Sequence, residues 1–318
     1  MSAAVQSSLP IARSQIAAEV LQGLARPQKA LPGKYLWDET GSDLFDRICR
    51  TQDYYPTRRE VAMLEAQAAE VAELVGPRAT VVEYGSGATR KIRILLDALA
   101  APRRYVAIDI SRDYLATAIE PIVRDYPALD VLPVYADYTQ ALRLPVALGD
   151  GPVVGFFPGS TMGNFSPDGV VAFFRRVRAT LGASWFLVGT DPNRDAASLQ
   201  RAYGEAEGLM AALHKNMLTH LNRELGADFD LANFRHEVRL PQDPPRVEAH
   251  LVAQRDAAYQ VAGETIRLSA GESIFTDASY KYDPDSFQAM AAEGGWERVR
   301  CWLDPDGLFS LHLFRTRG

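Results

Sequence analysis

The sequence predicts an α/β fold: a Rossmann-like, mostly parallel sheet with helices on both faces, joined to a second, smaller α+β domain. Three observations predict it. Between Thr80 and Val188, short apolar runs alternate with helix-period segments, the pattern of a parallel sheet covered on both sides. The first run leads through a glycine turn directly into a helix start, Val81-Val82-Glu83-Tyr84-Gly85-Ser86-Gly87-Ala88-Thr89-Arg90-Lys91. The alternation then stops near Asp191, gives way to helical and antiparallel signals, and resumes close to the end of the chain.

In chain order, residues 1–14 are small and polar and read as frayed. Ile16, Val20, Leu21 and Leu24 give Ser14–Leu24 one apolar face, hence a helix, and Leu31-Pro32-Gly33 breaks the chain after it. Residues 34–60 crowd Tyr35, Trp37, Phe45, Tyr54 and Tyr55 into turn-rich chemistry, which fits either ordinary core packing or the wall of a binding site. Residues 60–75 read as a helix with Val61, Leu64, Ala68 and Val71 on one face. Strands come next at Thr80–Tyr84, Tyr105–Ile108, Val131–Tyr135, Val153–Phe157 and Trp185–Val188, with helices at Lys91–Leu99, Tyr114–Asp125 and Asp168–Leu181 between them. Residues 196–226 read as one long helical stretch carrying Leu199, Tyr203, Leu209, Leu213, Met217 and Leu221. Strand signals return at Val247–Ala253, Tyr259–Val261 and Thr265–Leu268, with Ala262-Gly263 as a hairpin turn. A helix at Ser286–Ala292 and strands at Val299–Leu303 and Leu308–Phe314 close the chain around Asp304-Pro305-Asp306-Gly307. That tetrapeptide is a turn, because Pro presets φ and Gly accepts a positive one. The domains implied are 60–195 plus 283–318 for the sheet, and 15–59 plus 196–282 for the smaller lobe.

Composition narrows the function. The 318 residues are 47% hydrophobic and 23% charged, enough to bury a core, and the net charge is −6. An acidic balance argues against a nucleic-acid partner and against anionic membranes. Cys49 and Cys301 are the only cysteines and lie far apart, which excludes a disulfide framework and a cysteine-rich zinc site and points to a reducing cytoplasm. No signal peptide and no bilayer-length apolar run is expected, and the chain is read as a monomer acting on a small molecule. Histidines 214, 220, 236, 250 and 312 lack ligand-like spacing, so no metal is expected.

The glycine turn carries the first chemistry. Gly85 and Gly87, with Ser86 between them, let the backbone bend sharply and leave room for a ligand against a helix N-terminus. In a dinucleotide fingerprint the third small residue lets the helix pack close to the strand, the approach used to bind a pyrophosphate; here that place is Arg90. This disfavours NAD and favours S-adenosylmethionine (SAM), which has no phosphates. A closing antiparallel hairpin also suits a class I SAM methyltransferase sheet better than a dehydrogenase sheet. Lys91 offers a cation for the methionine carboxylate, unless it is an ordinary solvated helix lysine. Asp109, after the second strand, offers a carboxylate to the ribose hydroxyls, or caps the next turn. Asp137, after the third strand, is placed for the adenine amino group while Tyr138 stacks on the ring.

After the fourth strand comes Phe157-Pro158-Gly159-Ser160-Thr161-Met162-Gly163-Asn164-Phe165, at the edge where open α/β sheets bind ligands. Asn164 both donates and accepts, as an amino acid backbone requires; a plain glycine-rich turn is the alternative. These segments, with Gly41-Ser42-Asp43-Leu44-Phe45-Asp46, Tyr54-Tyr55-Pro56-Thr57-Arg58, Asn222-Arg223-Glu224-Leu225-Gly226-Ala227-Asp228-Phe229 and Ser279-Tyr280-Lys281-Tyr282, resemble the histidine Nα-methyltransferases of ergothioneine biosynthesis across almost the whole chain. The resemblance implies a SAM domain with a substrate-binding lobe and three successive methylations of a free amino acid, histidine to its trimethylated betaine. It also implies that Tyr54, Asn164 and Tyr203 hold the carboxylate and amine end with Gly159 close by, and that Asp277 and Ser279 face the side chain. Tyr54 and Asn164 are then the candidate catalytic residues, orienting the amine.

Two departures from the family pattern bear on specificity. Trp37 stands where a tyrosine is usual, and Asp277 where a glutamate is usual. Tryptophan donates one hydrogen bond and accepts none, and aspartate is shorter by one methylene. An aromatic amino acid other than histidine is therefore the first rival substrate. A non-catalytic SAM or amino acid sensor and a methyltransferase for protein or nucleic acid are the rivals from other classes.

Overall fold

The computed structural model describes residues 13–87 and 89–317, so of the segment 1–14 read as frayed the first twelve residues lie outside the described residues, while Arg13 and Ser14 open a helix instead. In chain order the elements are α1 (Arg13–Leu24), β1 (Lys29–Ala30), a 3-10 turn at Gly33–Leu36, α2 (Glu39–Ile48), α3 (Tyr55–Val75), β2 (Thr80–Tyr84), α4 (Arg90–Ala98), β3 (Arg104–Asp109), α5 (Arg112–Asp125), β4 (Asp130–Tyr135), β5 (Val153–Phe157), α6 (Pro167–Leu181) and β6 (Trp185–Thr190). They continue with α7 (Ala196–Gln200), α8 (Leu209–Leu225), β7 (Phe234–Arg239), β8 (Arg246–Ala253), β9 (Ala257–Val261), β10 (Glu264–Leu268), β11 (Ser273–Tyr280), α9 (Pro284–Glu293), β12 (Trp296–Leu303) and β13 (Ser310–Thr316).

Two compact units result. Of the described residues, one contains Pro56–Asn193 and Tyr280–Arg317; the other contains Arg13–Tyr55 together with Arg194–Ser279. The boundaries expected from the sequence fall a few residues after each of these three crossings.

The first unit is built on a seven-stranded sheet in the order β12-β13-β6-β5-β2-β3-β4. The pairs β2–β3, β3–β4, β2–β5 and β5–β6 are parallel, while β13 runs antiparallel to β6 and to β12. β2 and β5 are buried along their whole length, as the continuous apolar runs require. One face packs Leu64, Val71, Leu95 and Ile122 against Val81, Phe156 and Leu187. The other packs Phe173, Phe174, Phe287 and Trp296 against Val106, Phe157, Phe186 and Phe314. Each such side chain contributes roughly 1.5–3 kcal/mol on leaving water. Helix ends are specified locally: Ser166 caps α6 by accepting from the Gly169 N–H, Pro167 occupies its first turn, and Gly182 comes directly after its last residue. The chain order reverses between β2 and β5. Their carboxyl ends therefore flank a topological switch point, where sheets of this class bind ligands.

The second unit holds a four-stranded sheet, β1-β11-β8-β7, and the β9–β10 hairpin. The hairpin turn is Ala262-Gly263, both with positive φ, as the sequence signal required. Two expectations need correction here. Residues 196–226 are not one helix: a π-turn at Arg201–Glu205 and left-handed residues Glu207 and Gly208 break it before α8. Gly208 supplied the break signal, which the apolar periodicity on either side concealed. The segment 34–60 is also less turn-like than its composition suggested, since α2 and the 3-10 turn occupy much of it. Strands β7 and β11 carry few continuous apolar residues and gave no clear signal.

Candidate active site

In the first unit the site begins where β2 ends. Gly85 takes φ of 76°, and the N–H groups of Gly85 and Ser86 both donate to the Ile108 carbonyl, at 2.9 and 3.0 Å. This locks the turn to the end of β3. A side chain at Gly87 would meet nothing within 4 Å, so that face of the turn is open. On the other side, Tyr138 lies 3.6 Å from where a Cβ at Gly85 would be. Tyr138 is held edge-on by Phe157 and Tyr84, at ring distances of 5.6 and 6.5 Å. An aromatic edge and an open glycine face thus lie on one turn.

The two acids stand at neighbouring strand ends. Asp109 is the last residue of β3, and one of its oxygens accepts the Ser111 N–H at 2.8 Å. Burial raises its pKa to about 6 despite that bond. Asp137 lies just beyond β4, and one oxygen accepts both the backbone N–H and the hydroxyl of Thr139, at 2.9 and 2.5 Å. The turn-capping role weighed for Asp109 is thus real, with backbone N–H groups of Ser111 and Ile110 donating to its carboxylate.

The side chains of Ser86 and Lys91 are both engaged within the protein. The Ser86 side chain turns into the core, donating to Glu83 at 3.0 Å and meeting the Tyr105 hydroxyl at 2.7 Å. Its hydroxyl therefore does not face a cofactor, because the buried Glu83 carboxylate needs donors. Burial pushes the Glu83 carboxyl up to about 7. Lys91, early in α4, is neither solvated nor unengaged: its Nζ lies 2.5 Å from Oε2 of Glu60, which is fully buried. Glu60 also accepts the Gly159 N–H on both oxygens, at 2.9 and 2.8 Å. The sequence reading missed Glu60. Its position four residues before Leu64, on the apolar face of α3, was the available signal.

The loop after β5 is conformationally unusual. Gly159 and Ser160 both have positive φ, 87° and 56°. The Ser160 hydroxyl is buried and has no hydrogen-bond partner among the described residues. Thr161–Asn164 form a 3-10 turn that leaves Asn164 exposed.

In the second unit the aromatic residues of the 34–60 segment form a chain of edge-to-face rings. Trp37 meets Phe45 at 5.3 Å, Phe45 meets Tyr54 at 5.8 Å, and Tyr54 meets Tyr203 at 5.8 Å. The Tyr203 hydroxyl lies 3.3 Å from Ser279 Oγ. Asp277 and Ser279 are alternate residues of β11 and share one side of the strand. Asp277 sits against Gly33, whose Cβ would lie 3.1 Å from Oδ1. Burial raises its carboxyl pKa to about 7. Trp37, Tyr54, Tyr203 and Ser279 are thus brought together, while Gly159 and Asn164 belong to the first unit.

The histidines are less scattered than their spacing suggested. His214 and His236 stack with ring centroids 4.8 Å apart, and His214 Nδ1 lies 2.9 Å from the Thr276 hydroxyl. Among the described residues no His, Cys, Asp or Glu group forms a cluster able to hold a metal.

Similarity to known proteins extends over nearly the whole chain. Residues 16–316 match the model of a family described as histidine-specific, SAM-dependent methyltransferases. A histidine N-alpha-methyltransferase of Mycolicibacterium smegmatis is 38% identical over 93% of each chain. One from Mycobacterium tuberculosis is likewise 38% identical, again over 93% of each. A 4-dimethylallyltryptophan N-methyltransferase of Aspergillus fumigatus is 26% identical over 96% of this chain and 94% of its own.

Proposed function

The chain belongs to the family of SAM-dependent, histidine-specific methyltransferases, and from that membership we propose that it methylates the α-amino group of free L-histidine three times in succession. The observation that carries the residue assignment is the sheet edge of the first unit, where the open Gly85–Gly87 turn, Asp109, Asp137 and Tyr138 occupy successive strand ends. A nucleoside with free ribose hydroxyls and a purine ring suits that set. Asp109 accepts from the ribose, Asp137 from the adenine amino group, and Tyr138 contributes the ring face. Lys91 serves the methionine carboxylate.

SAM supplies a methyl group on a sulfonium sulfur, open to in-line attack by a neutral amine. The protein's task is then to bind, orient and dry the amine. Peptide α-amino groups titrate near ~8, and the ammonium of a free amino acid, beside its own carboxylate, holds its proton more tightly; that proton must leave before the attack. Tyr54 and Asn164 orient the nitrogen lone pair, Tyr203 holds the carboxylate end, and Gly159 approaches through its backbone. The ring chain Trp37–Phe45–Tyr54–Tyr203 provides apolar surface that keeps water from the amine; proximity supplies much of the acceleration. Asp277 and Ser279 take the imidazole. The histidine cluster stays outside these roles, and we read the enzyme as a cytoplasmic monomer without a nucleic-acid partner.

The test is incubation with SAM and each free amino acid, read by mass. A mono-, di- and trimethyl ladder on histidine is expected; a ladder confined to another amino acid would sink the histidine assignment. Asn164→Ala should weaken histidine binding and leave SAM binding intact, and collapse of SAM affinity instead would show the loop to be misassigned. Asp277→Asn should lower kcat/KM for histidine ~10- to 100-fold, the range expected from a lost charged hydrogen bond. The shorter Asp277 and the non-accepting Trp37 favour one second reading, a bulkier aromatic amino acid, which the same panel of substrates would reveal.

A further inference from the structure

Glu60 is a charged side chain with no exposed surface, and its polar contacts lead to the sheet edge of the first unit. It lies on α3, in the same unit as both loops of the switch point. Its carboxylate meets Lys91 Nζ at 2.5 Å and the Gly159 N–H at 2.8–2.9 Å. Lys91 comes after the glycine turn of β2, and Gly159 after β5, so one carboxylate ties together the two strand ends that bound the crevice. The fold makes room for it. A Cβ at Gly189 on β6 would lie 2.3 Å from Glu60 Oε1 and 2.8 Å from Phe309 Cζ.

A buried carboxylate is costly unless paired and hydrogen-bonded. Helix packing alone gives no reason for one on this apolar face, where Leu64 and Val71 occupy the neighbouring positions. What the charge does is local. It fixes a flexible lysine stem to one direction, and it anchors the N–H of the first of two consecutive left-handed residues, Gly159 and Ser160. A non-glycine residue in that region is strained. Ser160 stays there with its hydroxyl buried and, among the described residues, without a hydrogen-bond partner.

We propose that Glu60 is a positioning residue for methyl transfer: it aims Lys91 at the methionine carboxylate of SAM and holds the Gly159–Ser160 bend in the form that receives the amino acid. This rests on the assignment of SAM to the Gly85 turn. Glu60 touches neither substrate; it acts through Lys91 and the Gly159 N–H. The two functions separate chemically. Glu60→Gln keeps an acceptor for Gly159 and removes the charge from Lys91, whereas Glu60→Ala removes both.

The test is calorimetric titration of the full chain with SAM, with circular dichroism confirming that each variant is folded. Glu60→Gln should raise the SAM dissociation constant about tenfold, the loss expected for one charged hydrogen-bond partner, with KM for histidine changed less than twofold. Glu60→Ala should raise both. Lys91→Met should also weaken SAM, and adding Glu60→Gln to it should weaken SAM no further, because the pair acts as one. Where Glu60→Gln does not fold, Glu60→Asp serves: it keeps the charge and should bind SAM several-fold tighter than Glu60→Ala. A SAM affinity unmoved in folded Glu60→Gln, additive losses in the double variant, or Glu60→Asp no better than Glu60→Ala would each overturn the proposal. Wild-type protein that takes up no SAM would overturn the cofactor assignment itself, and is thereby distinguished from failure of the role given to Glu60.

Discussion

At the residue scale, the site depends on side chains that are absent as much as on those present. Gly189 is the clearest case. Gly189→Ala forces a methyl group into the space of the Glu60 carboxylate and the Phe309 ring. Overpacking of this kind costs ~1–3 kcal/mol. The melting temperature should fall by several degrees, and SAM affinity should fall with it as Glu60 is displaced; thermal denaturation and calorimetry on one sample check both. Residues of this kind differ in how far the sequence announces them. Gly85, Asp109, Asp137 and Tyr138 are readable as candidates because strand ends in an open sheet collect ligand groups. The direction of the Ser86 hydroxyl was not readable, because periodicity does not say which way a turn residue points, and the need of Glu83 for donors decides it. Glu60 was hidden because its partners, Lys91 and Gly159, are distant in sequence.

Single elements carry predictions of their own. The β9–β10 turn uses Ala262 at φ of 49° and Gly263 at 89°. Asparagine tolerates the left-handed region better than alanine, so Ala262→Asn should stabilise the protein by ~0.5–1 kcal/mol, read as a small rise in melting temperature; no rise or a fall would show that turn strain is not limiting. At the other extreme, Lys281 after β11 and Asp191 after β6 form a pair at 2.6 Å with almost no exposed surface. Lys281→Met leaves a buried carboxylate without its cation and should cost ~3–5 kcal/mol, more than a double variant that also carries Asp191→Asn. Strand β2 and helices α4–α6 were readable from periodicity because each presents a continuous apolar face. The broken helix before α8 was not, because apolar residues keep their spacing across Glu207 and Gly208 while the backbone does not.

Over the molecule as a whole, buried titratable groups set how stability responds to pH. Burial holds the His312 pKa down to about 3, that of His236 down to about 4, and that of His214 well below its ordinary value. An unfolded histidine takes up its proton near ~6.5. Below that pH the unfolded chain gains protons that the fold refuses, so this stability is full above ~6.5 and declines as the solution is acidified. Glu83 and Asp277, raised to about 7, and Asp109, raised to about 6, act in the opposite sense: folded they keep protons that the unfolded chain releases near ~4, so their share is lost as pH rises toward 7. The histidine share is isolated by comparison with His312→Gln. The melting-temperature advantage of the wild type over this variant should shrink between pH 7 and pH 4, and a constant gap would refute it. Among the described residues no helix is long and apolar enough to cross a membrane.

Lys29, in the shortest strand of the second unit, finds its neighbour at Ile274. During synthesis the first segment of that unit must therefore leave the ribosome and wait, with α1 and the Trp37–Phe45 aromatics still uncovered by their later partners, until β11 has emerged. The sheet from β2 to β6 has its own sequence in hand much sooner. No single cut of the gene can release the second unit intact, and isolating it demands that its two pieces be rejoined by a new linker.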